Sequence, residues 1–136
     1  MAKFKHVESK KYKGFYVSKP YPNVLVSKKG EILRLTANAK TGPVGSKTYG
    51  YKNSKGYMVI STFSKLSGKN DRTVRVHWVA AFAFYGHPKK GLTQVNHKDK
   101  VRDNNEWTNL EWISMLDNIK HQHGIPALEC LDYLYW

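Results

Sequence analysis

The run His77-Trp78-Val79-Ala80-Ala81-Phe82-Ala83-Phe84-Tyr85 constrains this chain more than any other stretch. It is apolar nearly all round and rich in alanine, so as a helix it has no face to give to water and must be enclosed by the rest of the molecule. Gly86 stops it and Pro88 lies just beyond, the punctuation of a helix C-terminus. A chain of 136 residues has material for one enclosed core, which predicts a single domain built around this helix. His77 opens the helix at a strand-to-helix junction, where an imidazole can cap or bridge backbone groups, and a structural role is expected for it.

What encloses the helix is read from its flanks. Asn23-Val24-Leu25-Val26-Ser27 and Glu31-Ile32-Leu33-Arg34-Leu35 are strand-like and meet at Lys28-Lys29-Gly30, which predicts a hairpin. A second hairpin is expected from residues 57–63 and 72–76, joined across Ser67-Gly68-Lys69-Asn70-Asp71, with Val74 and Val76 on one face and Thr73 and Arg75 on the other. Between the hairpins, residues 36–56 carry Gly42, Pro43, Gly45, Gly50 and Gly56 and read as a long loop. Residues 1–20 have no helical period and read as a basic N-terminal arm or a first irregular strand. Beyond the helix, Leu92-Thr93-Gln94-Val95-Asn96-His97 is a short strand, residues 98–108 have the Asp and Asn density of turns, and Leu110-Glu111-Trp112-Ile113 is the returning strand. Ser114-Met115-Leu116-Asp117 has the form of a capping box, so Ser114 is expected to start a helix with Asn118 in its first turn. The fold class is α+β: antiparallel N-terminal hairpins with a core helix, then a strand, loop, strand and helix.

Charge points to the partner. Lys and Arg number 23 against 10 Asp and Glu, a formal net charge of +13. The excess sits in the first part of the chain, where residues 1–55 hold 13 basic and 2 acidic side chains against 10 and 8 in residues 56–136. Lysines interleaved with Tyr, Gly and Pro suit a nucleic-acid backbone better than a membrane surface, which would want one basic face of an amphipathic helix. Lys40, Lys47, Lys52 and Lys55 in the long loop, with Arg72, Arg75 and Lys98, are the candidate DNA contacts. The lone Cys130 excludes an intramolecular disulfide framework and a cysteine zinc cluster, fits a reducing compartment, and is expected to pack. No apolar stretch approaches a bilayer span and the first residues lack a signal-peptide core, so a soluble, unexported protein is expected.

The chemistry gathers around Val95-Asn96-His97-Lys98-Asp99. A neutral imidazole can take a proton from water near neutral pH, which makes His97 the candidate general base. With Asn104-Asn105, Asn109-Leu110-Glu111-Trp112 and Asn118 following in order, and Val76-His77-Trp78-Val79-Ala80-Ala81-Phe82 preceding, residues 21–123 resemble the HNH nuclease superfamily with its ββα-metal fold, and especially the phage and intron homing endonucleases. The resemblance implies residue roles. Asn96 and Asn118 fall on the two metal-holding positions, His97 on the general base, and Asn109 on the middle Asn that pins the loop against the first strand.

The resemblance also implies a metal-dependent endonuclease acting on double-stranded DNA, phage-borne, of the homing or nicking kind, and working in the cytoplasm of a host bacterium. Carboxamide oxygens are hard ligands, which favours Mg²⁺ or Mn²⁺ over a closed zinc site. Being sequential on a strand, Asn96 and His97 should point to opposite faces unless the strand twists there. Asn96 is neutral where homing relatives often carry Asp, so the alternative is an HNH-fold DNA-binding protein that has lost its chemistry. The expected divisions are a basic arm over residues 1–20, a β-rich DNA-contacting module over 21–75, the ββα-metal catalytic module over 76–124, and a packing segment over 125–136. That last segment is expected to lie on the core as a final helix or to form a dimer seam, with a monomer favoured. His121 and His123 are spare metal or phosphate candidates.

Overall fold

A computed structural model describes residues 4–123. The expectations for Cys130 and for the packing segment over 125–136 lie outside the described residues, as do the side chains of His121 and His123. The first sheet is an antiparallel meander of β1 (Phe15–Val17), β2 (Val24–Ser27), β3 (Ile32–Arg34) and β4 (Lys47–Thr48). Within it Leu25 faces Leu33 and Val26 faces Ile32 across the ladder. The second sheet is β5 (Tyr51–Lys52), β6 (Met58–Ser64) and β7 (Lys69–Arg75). Helix α1 (Val76–Tyr85) continues directly from β7, and after it come the two-stranded ribbon of β8 (Gln94–His97) and β9 (Leu110–Ile113) and helix α2 (Met115–His123).

The apolar run does what its composition requires. Val76, Val79, Ala80, Ala81 and Ala83 of α1 are sealed from solvent, and the helix packs against β1, β2, β6, β7, β8 and β9. The alanines let strands from all three sheets approach one helix, and Val24, Val26, Ile32, Ile60, Val95 and Leu110 meet it in a common core. Each fully buried Val, Leu or Ile contributes about 1.5–3 kcal/mol relative to leaving it exposed. A polar strut crosses this core, the Ser18 Oγ–H donating to the Val79 carbonyl at 2.9 Å. A second, smaller cluster of Phe15, Leu25 and Leu33 fills the far side of the first sheet.

Three expectations are corrected. Residues 36–56 are not one loop, because β4 and β5 add short edge strands to different sheets. The chain crosses between those sheets at Gly50, where a Cβ would lie 2.6 Å from the Val59 carbonyl oxygen and φ is +91°. In the second hairpin Lys69, Asn70 and Asp71 are strand residues and not part of the connection, since polar side chains do not prevent backbone pairing; Asp71 pairs with Thr62 and Lys69 with Ser64. Val76 opens the helix instead of closing the strand. Of the two readings for residues 1–20, the strand holds for Phe15–Val17, paired with β2. His6 packs edge-on to Tyr16, Phe84 and Trp107.

Candidate active site

The ribbon β8–β9 carries the site. In an antiparallel ladder directly opposed residues share a face, and here Val95 opposes Trp112, Asn96 opposes Glu111 and His97 opposes Leu110. Val95, Leu110 and Trp112 pack with α1, and the Trp112 indole N–H donates to the Gly86 carbonyl at 3.1 Å. His97 therefore shares the α1 face, while Asn96 and Glu111 take the opposite one, as strand alternation requires. Helix α2 packs against β8. Its start is fixed by Ser114, whose hydroxyl accepts from the Asp117 N–H at 3.1 Å and whose carbonyl accepts from the Asn118 N–H at 3.0 Å.

Three polar side chains here are almost wholly enclosed: Asn96 is 3% exposed, and His97 and Asn105 are each 5% exposed. Buried polar groups cost free energy unless they find partners, and these do. The Asn96 Nδ2 donates to Glu111 Oε1 at 2.9 Å. That bond turns the amide nitrogen toward the carboxylate and leaves the carboxamide oxygen as a lone-pair donor facing elsewhere. His97 Nε2 sits 2.8 Å from Asn105 Oδ1.

Beside His97 lies a second imidazole. The His77 and His97 rings are 4.7 Å apart, and Tyr57 stacks on His77 at 5.1 Å and lies 6.0 Å from His97. Burial drives the His77 pKa well below the ordinary imidazole value, with the neighbouring His97 and Arg75 adding to the effect. Burial also lowers the His97 pKa, partly offset by Asn105 and Asp99. Both shifts favour the neutral ring, the state a proton acceptor needs. His77 Nδ1 is sealed without a hydrogen-bond partner, so the expected backbone-bridging role is not made through that atom.

The connection between the strands, residues 98–109, is closed by Asn109. Its carbonyl accepts from the Lys98 N–H at 2.8 Å and its Oδ1 from the Asp99 N–H at 3.1 Å, while its Nδ2 donates to Asp99 Oδ1 at 3.0 Å and to the Asn104 carbonyl at 2.9 Å. Asp99 also accepts from Asn104 Nδ2 and the Val101 N–H, and these bonds, Asn104 first, hold its carboxyl below the usual range. The loop is thereby folded over the C-terminal end of β8.

Of the basic candidates, the structure brings part to this loop. Lys52 pairs with Asp103 at 3.0 Å, the carbonyl of Lys55 accepts from the Arg102 guanidinium at 2.7 Å, and Arg75 and Arg102 lie 5.2 and 5.0 Å from the centre of the Tyr57 ring. Lys98 is exposed on the loop itself. Lys40, in the exposed turn closed by the Asn38–Gly42 bridge, Lys47, above the Phe15 ring, and Arg72, on β7, are exposed with no described contact to the loop. Sequence reasoning missed Asn105, Glu111, Tyr57 and Arg102 as site residues. Glu111 could have been found from the pairing register of the two predicted strands; the other three meet His97 or its loop only through folding.

Whether these residues suit a divalent ion is a question of donor chemistry. Among the described residues no group of three or more His, Cys, Asp or Glu is placed to hold a metal. What the ribbon offers is the Asn96 carboxamide, whose nitrogen and not its oxygen is turned to Glu111, with that carboxylate alongside and the helix of Asn118 packed on the same strand. Hard neutral oxygens near one carboxylate fit a hydrated, oxygen-seeking cation and do not fit zinc. No helix among the described residues is long and apolar enough to cross a membrane.

Comparison with known proteins converges on one family. A model of the HNH endonuclease family matches residues 74–120, which contain α1, the ribbon and the first part of α2. The chain is 39% identical over 67 residues to the DNA endonuclease I-HmuI of Bacillus phage SP01, covering 49% of this chain and 36% of that protein. It is 35% identical over 101 residues to an uncharacterized HNH endonuclease of Acanthamoeba polyphaga mimivirus, covering 74% of this chain and 27% of that protein. The chain thus spans about a third of these relatives' length. A solved structure of DNA binding and cleavage by the HNH homing endonuclease I-HmuI aligns with a TM-score of 0.57 and 26% identity over 97% of this chain and 67% of that one. Carrying its buried histidine and asparagines, the segment over residues 74–120 is the part of the chain that matches the HNH endonuclease family.

Proposed function

We propose that the protein is a metal-dependent DNA endonuclease that hydrolyses phosphodiester bonds, with His97 as general base and Asn96 and Asn118 as the residues that hold the ion. The observation that carries the reading is that Asn96 and His97, on opposite faces of β8, and Asn105 in the loop that follows are all enclosed within the matched segment, where a fold has no stability reason to bury three polar side chains. His97 takes a proton from a water molecule; the water oxygen bonds to phosphorus as the bond from phosphorus to the 3′-oxygen breaks, and the departing 3′-oxygen collects a proton from solvent. Asn109 keeps the loop closed over the end of β8, so that the base is held at one place. A Mg²⁺ or Mn²⁺ ion, when bound, supplies Lewis-acid stabilisation of the charge on the departing oxygen.

Lys52, Lys55, Arg75, Arg102 and Lys98 present positive charge around the loop for the phosphates of double-stranded DNA, and Lys40, Lys47 and Arg72 extend that surface. Phage origin, a homing or nicking role, a cytoplasmic site of action and a monomeric state complete the reading.

A second reading, a DNA-binding protein without chemistry, is favoured by one observation, the neutral Asn96 at a metal position. The Glu111 carboxylate at 2.9 Å argues against it, because it returns to the site the charge that Asn96 lacks. Plasmid cleavage in Mg²⁺ or Mn²⁺ separates them. The nuclease reading expects cutting that His97→Ala reduces by about 10²–10⁴-fold, the usual worth of a general base, with DNA affinity retained. Cutting by His97→Ala at the wild-type rate overturns it. Calorimetric Mn²⁺ binding in the presence of uncleaved DNA tests the ligands, and Asn118→Ala should weaken it.

A further inference from the structure

Duplex DNA is convex and needs no cavity in its partner, yet a cleft of about 540 Å³ opens beside the basic side chains that border the loop over residues 98–109. It lies where β7 passes into α1, and its walls include Tyr21, Lys55, Ser64, Asp71, Arg75 and Trp78. We propose that this cleft takes one unpaired nucleotide of the DNA, its base held against Trp78 beside the Tyr21 hydroxyl and its phosphate on Lys55 and Arg75. The inference goes beyond the cleavage chemistry and does not depend on which residue is the general base.

The cleft is walled in part by polar groups that the fold itself does not use. Tyr21 and Ser64 are each 4% exposed, and the Tyr21 ring packs in the core 6.2 Å from Phe82. Among the described residues no hydrogen bond engages the Tyr21 hydroxyl. It is also absent from the sealed, unpartnered side-chain atoms, which are His6 Nδ1 and His77 Nδ1, so it reaches open space, and the cleft is the space that Tyr21 lines. Burial first, and then Asp71, raise its pKa to about 12, which keeps it a donor. The Ser64 Oγ accepts from the Leu66 N–H at 3.2 Å and gives its own proton to no described acceptor. Asp71 accepts at Oδ1 from the Thr73 N–H at 3.0 Å and the Thr73 hydroxyl at 3.3 Å, while its Oδ2 makes no hydrogen bond among the described residues. An enclosed donor without a partner costs stability, and an acceptor on a ligand recovers it.

Donors beside an acceptor, together with an indole, match a nucleobase, which presents donors and acceptors side by side on its edge and a π-face for stacking. Trp78 is half-buried and held edge-on to Trp112 at 5.4 Å, which fixes the indole where it borders the cleft. The charge suits the rest of a nucleotide. Lys55 and Arg75 are exposed, and α1 begins at Arg75 with no acid in its first turn and no side-chain cap, so the field of the helix N-terminus adds to the attraction for a phosphate. The same cations point to DNA as the source. Arg75 lies 5.2 Å from the centre of the Tyr57 ring, Tyr57 stacks on His77 beside His97, and the Lys55 carbonyl accepts from Arg102, so a nucleotide entering here belongs to a strand lying against the loop. Taking a base out of a duplex costs pairing and stacking, and costs least where the nucleotide is already unpaired. The cleft therefore favours DNA that carries an unpaired nucleotide.

The test compares two duplexes that differ by a single bulged adenine, titrated with the protein in EDTA so that neither is cut. The wild type should bind the bulged duplex about tenfold more tightly, the usual scale of one base stacked on an aromatic ring. In Tyr21→Phe and in Trp78→Leu the ratio of the two affinities should fall toward one. With 5-iodouracil in place of the bulged adenine, irradiation should give crosslinked peptides that contain Tyr21 or Trp78. Without DNA, Tyr21→Phe should not lower the urea midpoint, because the hydroxyl it removes has no partner to lose. Equal affinity of the wild type for the two duplexes overturns the proposal whatever the variants do, since that measurement needs no substitution. Crosslinks only to peptides without Tyr21 and Trp78 overturn it as well. Binding of free dAMP that Tyr21→Phe weakens, with no preference for the bulge, overturns the assignment to DNA. None of these outcomes bears on whether His97 is required, which His97→Ala cleavage decides separately.

Discussion

The molecule contains two antiparallel ladders of similar length that are built on opposite principles. In β2–β3 the strands are joined by a tight turn and their side chains, Val24, Leu25, Val26, Ile32 and Leu33, vanish into two apolar clusters. In β8–β9 the strands are joined by residues 98–109, and the enclosed side chains include Asn96 and His97, satisfied by Glu111 and Asn105. The first ladder is held by area removed from water, which is tolerant of detail; the second by hydrogen bonds whose donors and acceptors must each be in place. A hairpin of the first kind makes a scaffold, and one of the second kind makes a site. The two meet at Gly30, where the scaffold turn presses on the loop of the site.

The comparison predicts different failures for the two ladders. Ile32 is fully sealed, and Ile32→Ala should cost about 2–5 kcal/mol of stability, read as a drop in the urea midpoint. Under conditions where the variant remains folded, its kcat should match the wild type. A lowered kcat in the folded variant would mean that the scaffold ladder takes part in the chemistry directly. Asn109→Ala should do the reverse, lowering kcat by about 10–100-fold while the urea midpoint moves little, because the residue is half-buried and water can replace part of its bonding. Equal losses of stability and of kcat would erase the distinction drawn between the ladders.

How much of this could be read from the chain follows the same division. The central helix, the first hairpin, the ribbon and the Ser114 start of α2 were legible because each follows from local periodicity or capping chemistry. The edge strands β4 and β5 were not, since two-residue strands have no period and exist through pairing with residues far along the chain. For the site, His97, Asn96, Asn109 and Asn118 were singled out by order and spacing within a family resemblance. The positions of Asn105 and Arg102 against His97 and Tyr57 depend on how residues 98–109 fold back, which single-residue preferences do not encode.

His77 extends the comparison to pH. Its folded pKa lies well below the ordinary value, through burial first and then through His97 and Arg75, so the unfolded chain binds the proton more readily than the folded one. The sign is therefore that stability is fully present above about pH 6.5, the unfolded imidazole value, and declines as pH falls below it, by at most about 1.4 kcal/mol per pH unit for one group. Urea unfolding of the wild type and His77→Leu between pH 7.5 and 5 checks this. The variant should lose part of the slope and retain the part due to His97, whose pKa is shifted in the same direction. An unchanged slope would mean that the pair titrates through His97 alone.

The smallest effect concerns the lysines. A lysine that meets a DNA phosphate releases a counterion, and its removal should reduce the slope of log affinity against log salt by about 0.9. Lys47 lies over the Phe15 ring with no acid paired to it in the described structure, so Lys47→Ala should show that full reduction if it touches DNA. Lys52 is already paired with Asp103 at 3.0 Å. To reach a phosphate it must leave that carboxylate, and in Lys52→Ala the uncovered Asp103 stands near the same phosphates. Its removal should therefore change the salt slope by less than Lys47→Ala while still weakening binding at low salt, and Lys52→Ala/Asp103→Ala should recover most of that affinity. Salt-titrated binding of uncleaved duplex DNA by the three variants measures it. Equal slopes for the two lysine variants would mean that the Lys52–Asp103 pair opens freely on DNA, and that the N-terminal part of the chain and the loop over residues 98–109 are linked by the Lys55–Arg102 bond and the Gly30 turn without it.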